Sequence, residues 1–133
     1  MTEADEIKRK LRDYFSDKQE IDTVLLFGSF AKNTYHQKSD VDIAIHSSSP
    51  LGYEKLAEIQ TELALILKRE IDLSDLTKAE GIFLYQIMTT GEKIKISEKV
   101  FVDFLMKALC FKEDFLPVIE ASQKEKIRRF ING

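Results

Sequence analysis

The sequence predicts an α/β (α+β) sandwich, a small mixed β-sheet flanked by helices and followed by a helical C-terminal extension. Short runs of strand-forming residues alternate with longer amphipathic stretches along the chain. One such run stops abruptly at Gly28-Ser29, as a strand entering a tight turn does. No repeat, low-complexity tract or linker divides the 133 residues, a length close to that of one domain. The expected organisation is therefore one domain over 1–133, with a core at about 20–97 and the extension at about 98–133.

Ile7, Leu11, Tyr14 and Phe15 recur at three- and four-residue steps among charged residues and predict an amphipathic first helix. Thr23–Phe27 reads as the first strand, with a short helix from Ala31. In the second strand, Val41, Ile43 and Ile45 alternate with Asp42, Ala44 and His46, so one face carries the core and the other a carboxylate. Ser49-Pro50 opens a helix, with Pro50 at its first position and Leu56, Ile59, Leu63, Ile66 and Leu67 as its buried stripe.

Glu70–Leu76 forms a third strand, with Ile71, Leu73 and Leu76 toward the core. Thr77-Lys78-Ala79-Glu80 has the pattern of a capping box for a helix ending near Gly91. Ile94 and Ile96, set among lysines, predict a short edge strand, and Glu98 to Ile131 reads as helical with an interruption around Pro117.

Hydrophobic residues make up 44% and charged residues 32%, a folded rather than disordered composition. A net charge of -3 provides no global basic field for nucleic acid, so none is expected as a direct partner. No signal-type or membrane-spanning run is present, and a cytoplasmic location is the default expectation. Cys110, the only cysteine, excludes an internal disulfide and reads as a buried inert thiol. His36 and His46 find no metal-ligand partner at useful spacing and read as surface residues.

The segment that carries chemistry runs from Gly28 to Asp42: Gly28-Ser29, ten intervening residues, then Asp40-Val41-Asp42. Glycine admits an anionic ligand close to the backbone, and amides leading into a helix donate to phosphate oxygens, with the Ser29 hydroxyl beside them. Two carboxylates at alternate strand positions share a face and repel unless a cation joins them. Mg²⁺ suits such a pair because it binds one or two carboxylates while gripping substrate phosphates. Lys32 and Lys38 can reach triphosphate oxygens or stay in solvent, and Ser39 either starts the strand or orients Asp40.

This segment resembles the signature of the DNA polymerase β-like nucleotidyltransferases. Gly-Ser-Phe-Ala-Lys and Ser-Asp-Val-Asp-Ile-Ala-Ile resemble in particular the minimal nucleotidyltransferases, or MNT proteins, over about Val24 to Ile96. The resemblance implies the polymerase β-like fold, two Mg²⁺ ions on Asp40, Asp42 and a third carboxylate, and ATP held by Gly28, Ser29, Lys32 and Ser39. Asp72 fits the third role best; Asp75 is the weaker substitute, on the opposite face. Lys32-Asn33 stands where arginine-glycine is common in the family, keeping the charge and a residue tolerant of positive φ.

Many MNT proteins are antitoxins of HEPN ribonuclease toxins, and some attach AMP to a toxin tyrosine. The resemblance thus implies a protein adenylyltransferase in a hetero-oligomer with such a toxin. The alternatives are an idle antitoxin acting by contact and a transferase acting on an antibiotic. The tail residues Val100, Phe101, Phe104, Leu105, Leu109, Phe111 and Phe115 either pack on the sheet or, being so rich in aromatics, serve a partner. Lys124, Lys126, Arg128 and Arg129 read as a solvated basic end.

Overall fold

The computed structural model describes residues 2–114 together with Glu125, Arg128 and Arg129. The expected interruption at Pro117, the helix toward Ile131, and Phe115, Lys124 and Lys126 lie outside the described residues. Arg128 and Arg129 are exposed and paired with Glu125.

The elements run α1 (Glu3–Phe15), β1 (Ile21–Phe27), α2 (Ser29–Lys32), β2 (Val41–Ser47), α3 (Tyr53–Leu67), β3 (Ile71–Asp75), a 3₁₀ turn (Leu76–Lys78), α4 (Gly81–Thr90), β4 (Glu92–Lys95) and α5 (Glu98–Asp114). The sheet order is β3-β2-β1-β4. β1 pairs antiparallel with β2 and β4, while β2 pairs parallel with β3 through the crossover helix α3. The mixed sheet is the one expected.

Strand alternation builds two cores. Val24, Leu26, Val41, Ile43 and Ile45 face α1 and α3, meeting Leu11, Phe15, Ile59 and Leu63. Leu25 and Ala44 face the other way, against Leu84, Ile87 and Met88 of α4 and Ala108 of α5. The carboxylate-bearing face of β2 is thus itself a core face along most of its length, not a bare polar one. Each fully buried aliphatic side chain contributes about 1.5–3 kcal/mol, so both faces of the sheet are held by apolar contact.

Several boundaries depart from the sequence expectation. Thr2 caps α1 in a capping box with Asp5, so the helix opens four residues before Ile7. α3 starts at Tyr53, not Pro50, because Ser49-Pro50-Leu51 stays outside the helix and places Leu51 against the first core. In its stripe Ile59, Leu63 and Leu67 are buried, but Ile66 is 41% exposed. The capping box expected at Thr77–Glu80 does not form. Asp75 accepts from the Thr77 amide instead, and the 3₁₀ turn lets both Leu76 and Ala79 enter the second core before α4 begins at Gly81.

In β4, Ile94 is buried, whereas Ile96 lies beyond the strand and is exposed. The Lys95 ammonium does not simply guard an edge: it donates to the Phe15 and Lys18 carbonyls at 3.0 Å, tying the end of α1 to β4. Cys110 is exposed rather than buried. α5 lays Phe101, Phe104, Leu105 and Ala108 inward, and a residue two positions past Ala108 points to the opposite side of a 3.6-residue helix. Among the described residues no helix is long and apolar enough to cross a membrane.

The inward stripe of α3 gives a direct test. Leu63→Ala removes a fully buried side chain and is expected to lower unfolding free energy by about 3 kcal/mol. Leu65→Ala, at a position 75% exposed, is expected to change it by less than about 0.5 kcal/mol. Urea unfolding of the two variants measures both; equal losses would contradict the helix register.

Candidate active site

The site forms where three strands come level. Asp42 stands opposite Phe27, the last residue of β1, and beside Asp72 of β3 in the parallel register. Asp42 and Asp72 therefore share a face of the sheet, the face that α4 and α5 cover farther along. Asp42 is half-buried and Asp72 exposed.

Gly28 follows Phe27 directly. Its φ of 71° and ψ of -149° lie where L side chains are strained. A Cβ there would come within 2.1 Å of Asp42 Oδ2, so the carboxylate already occupies the space any side chain would need. The chain then turns into α2, whose opening amides at Ser29 and Phe30 have no intrahelical acceptor. Lys32 ends α2, exposed, and Asn33 takes the left-handed conformation at φ 60°, as its tolerance of positive φ suggested.

Burial, then the charges of Asp72 and Asp40, then a hydrogen bond with Asp72 push the Asp42 carboxyl up to about 6. Asp40 is exposed and lines a cleft of about 660 Å³ with Asp72, Gln60, Ala64 and Leu65. Among the described residues no three His, Cys, Asp or Glu side chains are drawn together closely enough to grip a metal ion. The donor set nonetheless fits a hard divalent cation: the Asp42 carboxyl feels the charges of both Asp72 and Asp40, and glycine at 28 lets the backbone lie directly against it.

Ser39 accepts at its hydroxyl from the His36 amide, 2.8 Å, and so organises the loop before β2. Lys38 is exposed in that loop. Asp75 lies three residues past Asp72 and is engaged by the Thr77 amide. His46 is half-buried rather than on the surface, its Nδ1 2.9 Å from Asp22 and its ring edge-on to Phe104. His36 is exposed.

Sequence reasoning missed Arg69. Its side chain is 9% exposed and reaches the His36, Gln37 and Ser39 carbonyls as well as Glu3. No linear pattern could have marked it, since three of its acceptors are main-chain groups some thirty residues away.

A family model described as "Polymerase beta, Nucleotidyltransferase" matches residues 9–99. The protein adenylyltransferase MntA of Shewanella oneidensis is 34% identical over 71 residues, 53% of this chain and 51% of that one. The chain thus aligns with about half the length of that relative. A putative protein adenylyltransferase of Methanocaldococcus jannaschii is 33% identical over 73 residues, 55% of this chain and 74% of its own length. Among solved structures, a toxin-antitoxin crystal structure with AMP-PNP superposes with a TM-score of 0.72 at 24% identity, covering 93% of this chain and 98% of that one. A tri-AMPylated Shewanella oneidensis HEPN toxin in complex with MNT antitoxin gives 0.68 at 21%, covering 96% and 98%. At these identities the structural likeness carries the fold.

The raised Asp42 carboxyl sets a pH dependence. Between pH 3.8 and about 6 the folded chain holds a proton that the unfolded chain releases, so this group's contribution to stability falls as pH rises through that window. Asp42→Asn removes the effect. In metal-free buffer at pH 8 the variant is expected to be more stable by about 1 kcal/mol, after allowing for solvent screening of a half-exposed group. The gain should vanish near pH 4. Paired thermal melts at the two pH values check it, and a variant destabilised equally at both would refute the repulsion.

Proposed function

Because the chain belongs to the polymerase β nucleotidyltransferase family, we propose that it transfers AMP from ATP to a tyrosine hydroxyl of a cognate HEPN ribonuclease toxin and so silences it. The observation that carries this reading is the pairing of Asp42 with Asp72 across neighbouring strands, directly against Gly28. Likeness to protein adenylyltransferases and to toxin-antitoxin complexes supports a protein acceptor.

Asp40, Asp42 and Asp72 are the residues that would hold two Mg²⁺ ions, which when bound neutralise the triphosphate and stabilise charge on the entering and leaving oxygens. Gly28 keeps the backbone low enough for phosphates to approach, and the Ser29 and Phe30 amides with the Ser29 hydroxyl donate to the outer phosphate oxygens. Lys32, at the end of the same short helix, adds positive charge there. Ser39 acts through the loop it organises.

Asp72, exposed on the edge strand, faces the acceptor cleft and takes the tyrosine proton. The tyrosine oxygen bonds to the α-phosphorus, the bond from that phosphorus to the bridging oxygen breaks, and pyrophosphate departs. Ala57, Gln60, Ala64 and Leu65 line the approach, the two alanines leaving width for a polypeptide segment.

The test is incubation with labelled ATP, Mg²⁺ and the protein encoded by the adjacent reading frame, with mass spectrometry of both chains. The wild type is expected to add AMP to a tyrosine. The double variant Asp40→Asn, Asp42→Asn should transfer at least about 1,000-fold more slowly; unchanged transfer would place the chemistry elsewhere. A wild type that silences the toxin without modifying it would favour neutralisation by contact.

The outer face of α5 supports a docking surface for the toxin there. Phe101 and Phe104 are half-buried against the second core, whereas Val102, Met106 and Leu109 are exposed along the outer face of α5. Changing an anchor among these three to alanine should weaken toxin binding about 30-fold while leaving the melting temperature unchanged. Titration beside thermal melting checks this, and native affinity in all three variants would move the interface off α5.

A further inference from the structure

We propose that Arg69 is a positioning residue for nucleotidyl transfer: its guanidinium clamps the loop between α2 and β2 and thereby sets where Asp40 stands relative to Asp42 and Asp72. The proposal rests on the reading of the site as a nucleotidyltransferase centre and adds to it a residue outside the signature.

The guanidinium works as a two-sided fork. Nη1 donates to the carbonyls of His36 at 3.1 Å, Gln37 at 3.1 Å and Ser39 at 2.8 Å. Nε and Nη2 both donate to Glu3 Oε1, at 2.9 and 2.6 Å. Its flat face lies 4.9 Å from the centre of the Phe30 ring, which is stacked in turn on Tyr35 at 4.5 Å. One cation thus joins the start of α1, the first turn of α2 and the peptide that leads into Asp40.

The loop has few other attachments. Its other hydrogen bonds among the described residues are local: Ser39 amide to the His36 carbonyl, His36 amide to the Ser39 hydroxyl, and Lys38 amide to the His36 ring. Beyond the loop, the Val41 amide donates to the carbonyl of Glu70, the residue after Arg69, and β2 joins β3 there. Asp42 is fixed within the sheet and Asp72 by its register, but among the described residues exposed Asp40 is held through the main chain on either side of it. The carbonyl on its N-terminal side, that of Ser39, is the one Arg69 grips most closely.

Position matters here because a misplacement of about 1 Å in a reacting constellation can cost about 100-fold in rate. Lysine cannot substitute: a single ammonium does not span three carbonyls on one side and a carboxylate on the other. Glu3 neutralises the guanidinium and occupies Nε and Nη2, while Nη1 is committed to the loop. Arg69 therefore holds protein, not phosphate.

The test uses the full chain with Arg69→Lys, Arg69→Gln and Glu3→Gln. Four quantities are measured: melting temperature, amide hydrogen exchange over 36–41, affinity for Mn²⁺ alone by electron paramagnetic resonance, and kcat and KM for ATP. Arg69→Lys is expected to stay folded, to exchange its loop amides at least about tenfold faster, and to bind Mn²⁺ about tenfold more weakly. Its kcat should fall about 30-fold or more, with KM for ATP within about threefold. Glu3→Gln should move the same quantities in the same direction by less, because the carbonyl contacts remain.

A folded Arg69→Lys with native Mn²⁺ affinity and native kcat overturns the proposal, as does one that only melts earlier, the mark of a plain staple. If both Arg69 variants fail to fold, Glu3→Gln decides: native loop exchange and Mn²⁺ affinity there reject the clamp. If the wild type transfers no nucleotide, the functional reading falls, while the exchange and Mn²⁺ measurements still decide whether Arg69 sets the loop.

Discussion

The close approach of the Gly28 backbone to the Asp42 carboxylate is the constraint on which the rest of the site depends. Asp42 Oδ2 stands 2.1 Å from where a Cβ would be, so the turn after β1 exists only with glycine at that point. That turn ends the strand, starts α2 and drops Phe30 into the first core, where it is essentially fully buried. The backbone that in the proposed function admits phosphates thus lies directly against Asp42, and burial is the leading reason its carboxyl is pushed up to about 6.

The sheet accommodates this by being apolar on both faces along most of its length and acidic at one end. Leu25 and Ala44 lie on the same face as Asp42, fully covered by α4 and α5, while Asp72 is exposed in the neighbouring strand. Extending that cover over Asp42 and Asp72 would bury two carboxyls whose mutual repulsion is already felt, at a cost of several kcal/mol per unpaired charge. The acidic end of that face is therefore left without an apolar cover.

What could be read from the sequence was what is encoded locally. Strand alternation placed Asp42 opposite in facing to Val41 and Ile43, and the turn at Gly28-Ser29 was legible too, because a period of two and a glycine turn need no knowledge of distant residues. Asp72 was chosen for the third-carboxylate role that the resemblance implies, and the parallel register sets it beside Asp42. Helix starts were less legible: Pro50 looks like a first helical residue, but the need of Leu51 for a core partner delays α3 to Tyr53. Cys110 and His46 were misjudged for the same reason, their surroundings being set by which side of α5 faces α4 and by Asp22 on the adjacent strand. Arg69 was invisible, since main-chain acceptors leave no trace in residue identity.

The chemistry of Arg69 also explains why a cation can sit so near the acidic site without spoiling it. An unpaired lysine or arginine close to Asp40 would compete for those carboxylates with any metal ion and would lower their affinity for it. Here the guanidinium is paired with Glu3 at 2.6 Å, and its remaining reach is spent on neutral carbonyls. The clamp therefore adds order to the loop with little net charge beside the cleft. Arg69 so paired does little to offset the negative potential of the three aspartates, which a bridging cation would relieve. Order in the loop and repulsion among the carboxylates are supplied by separate groups, which is why one can be strong without weakening the other.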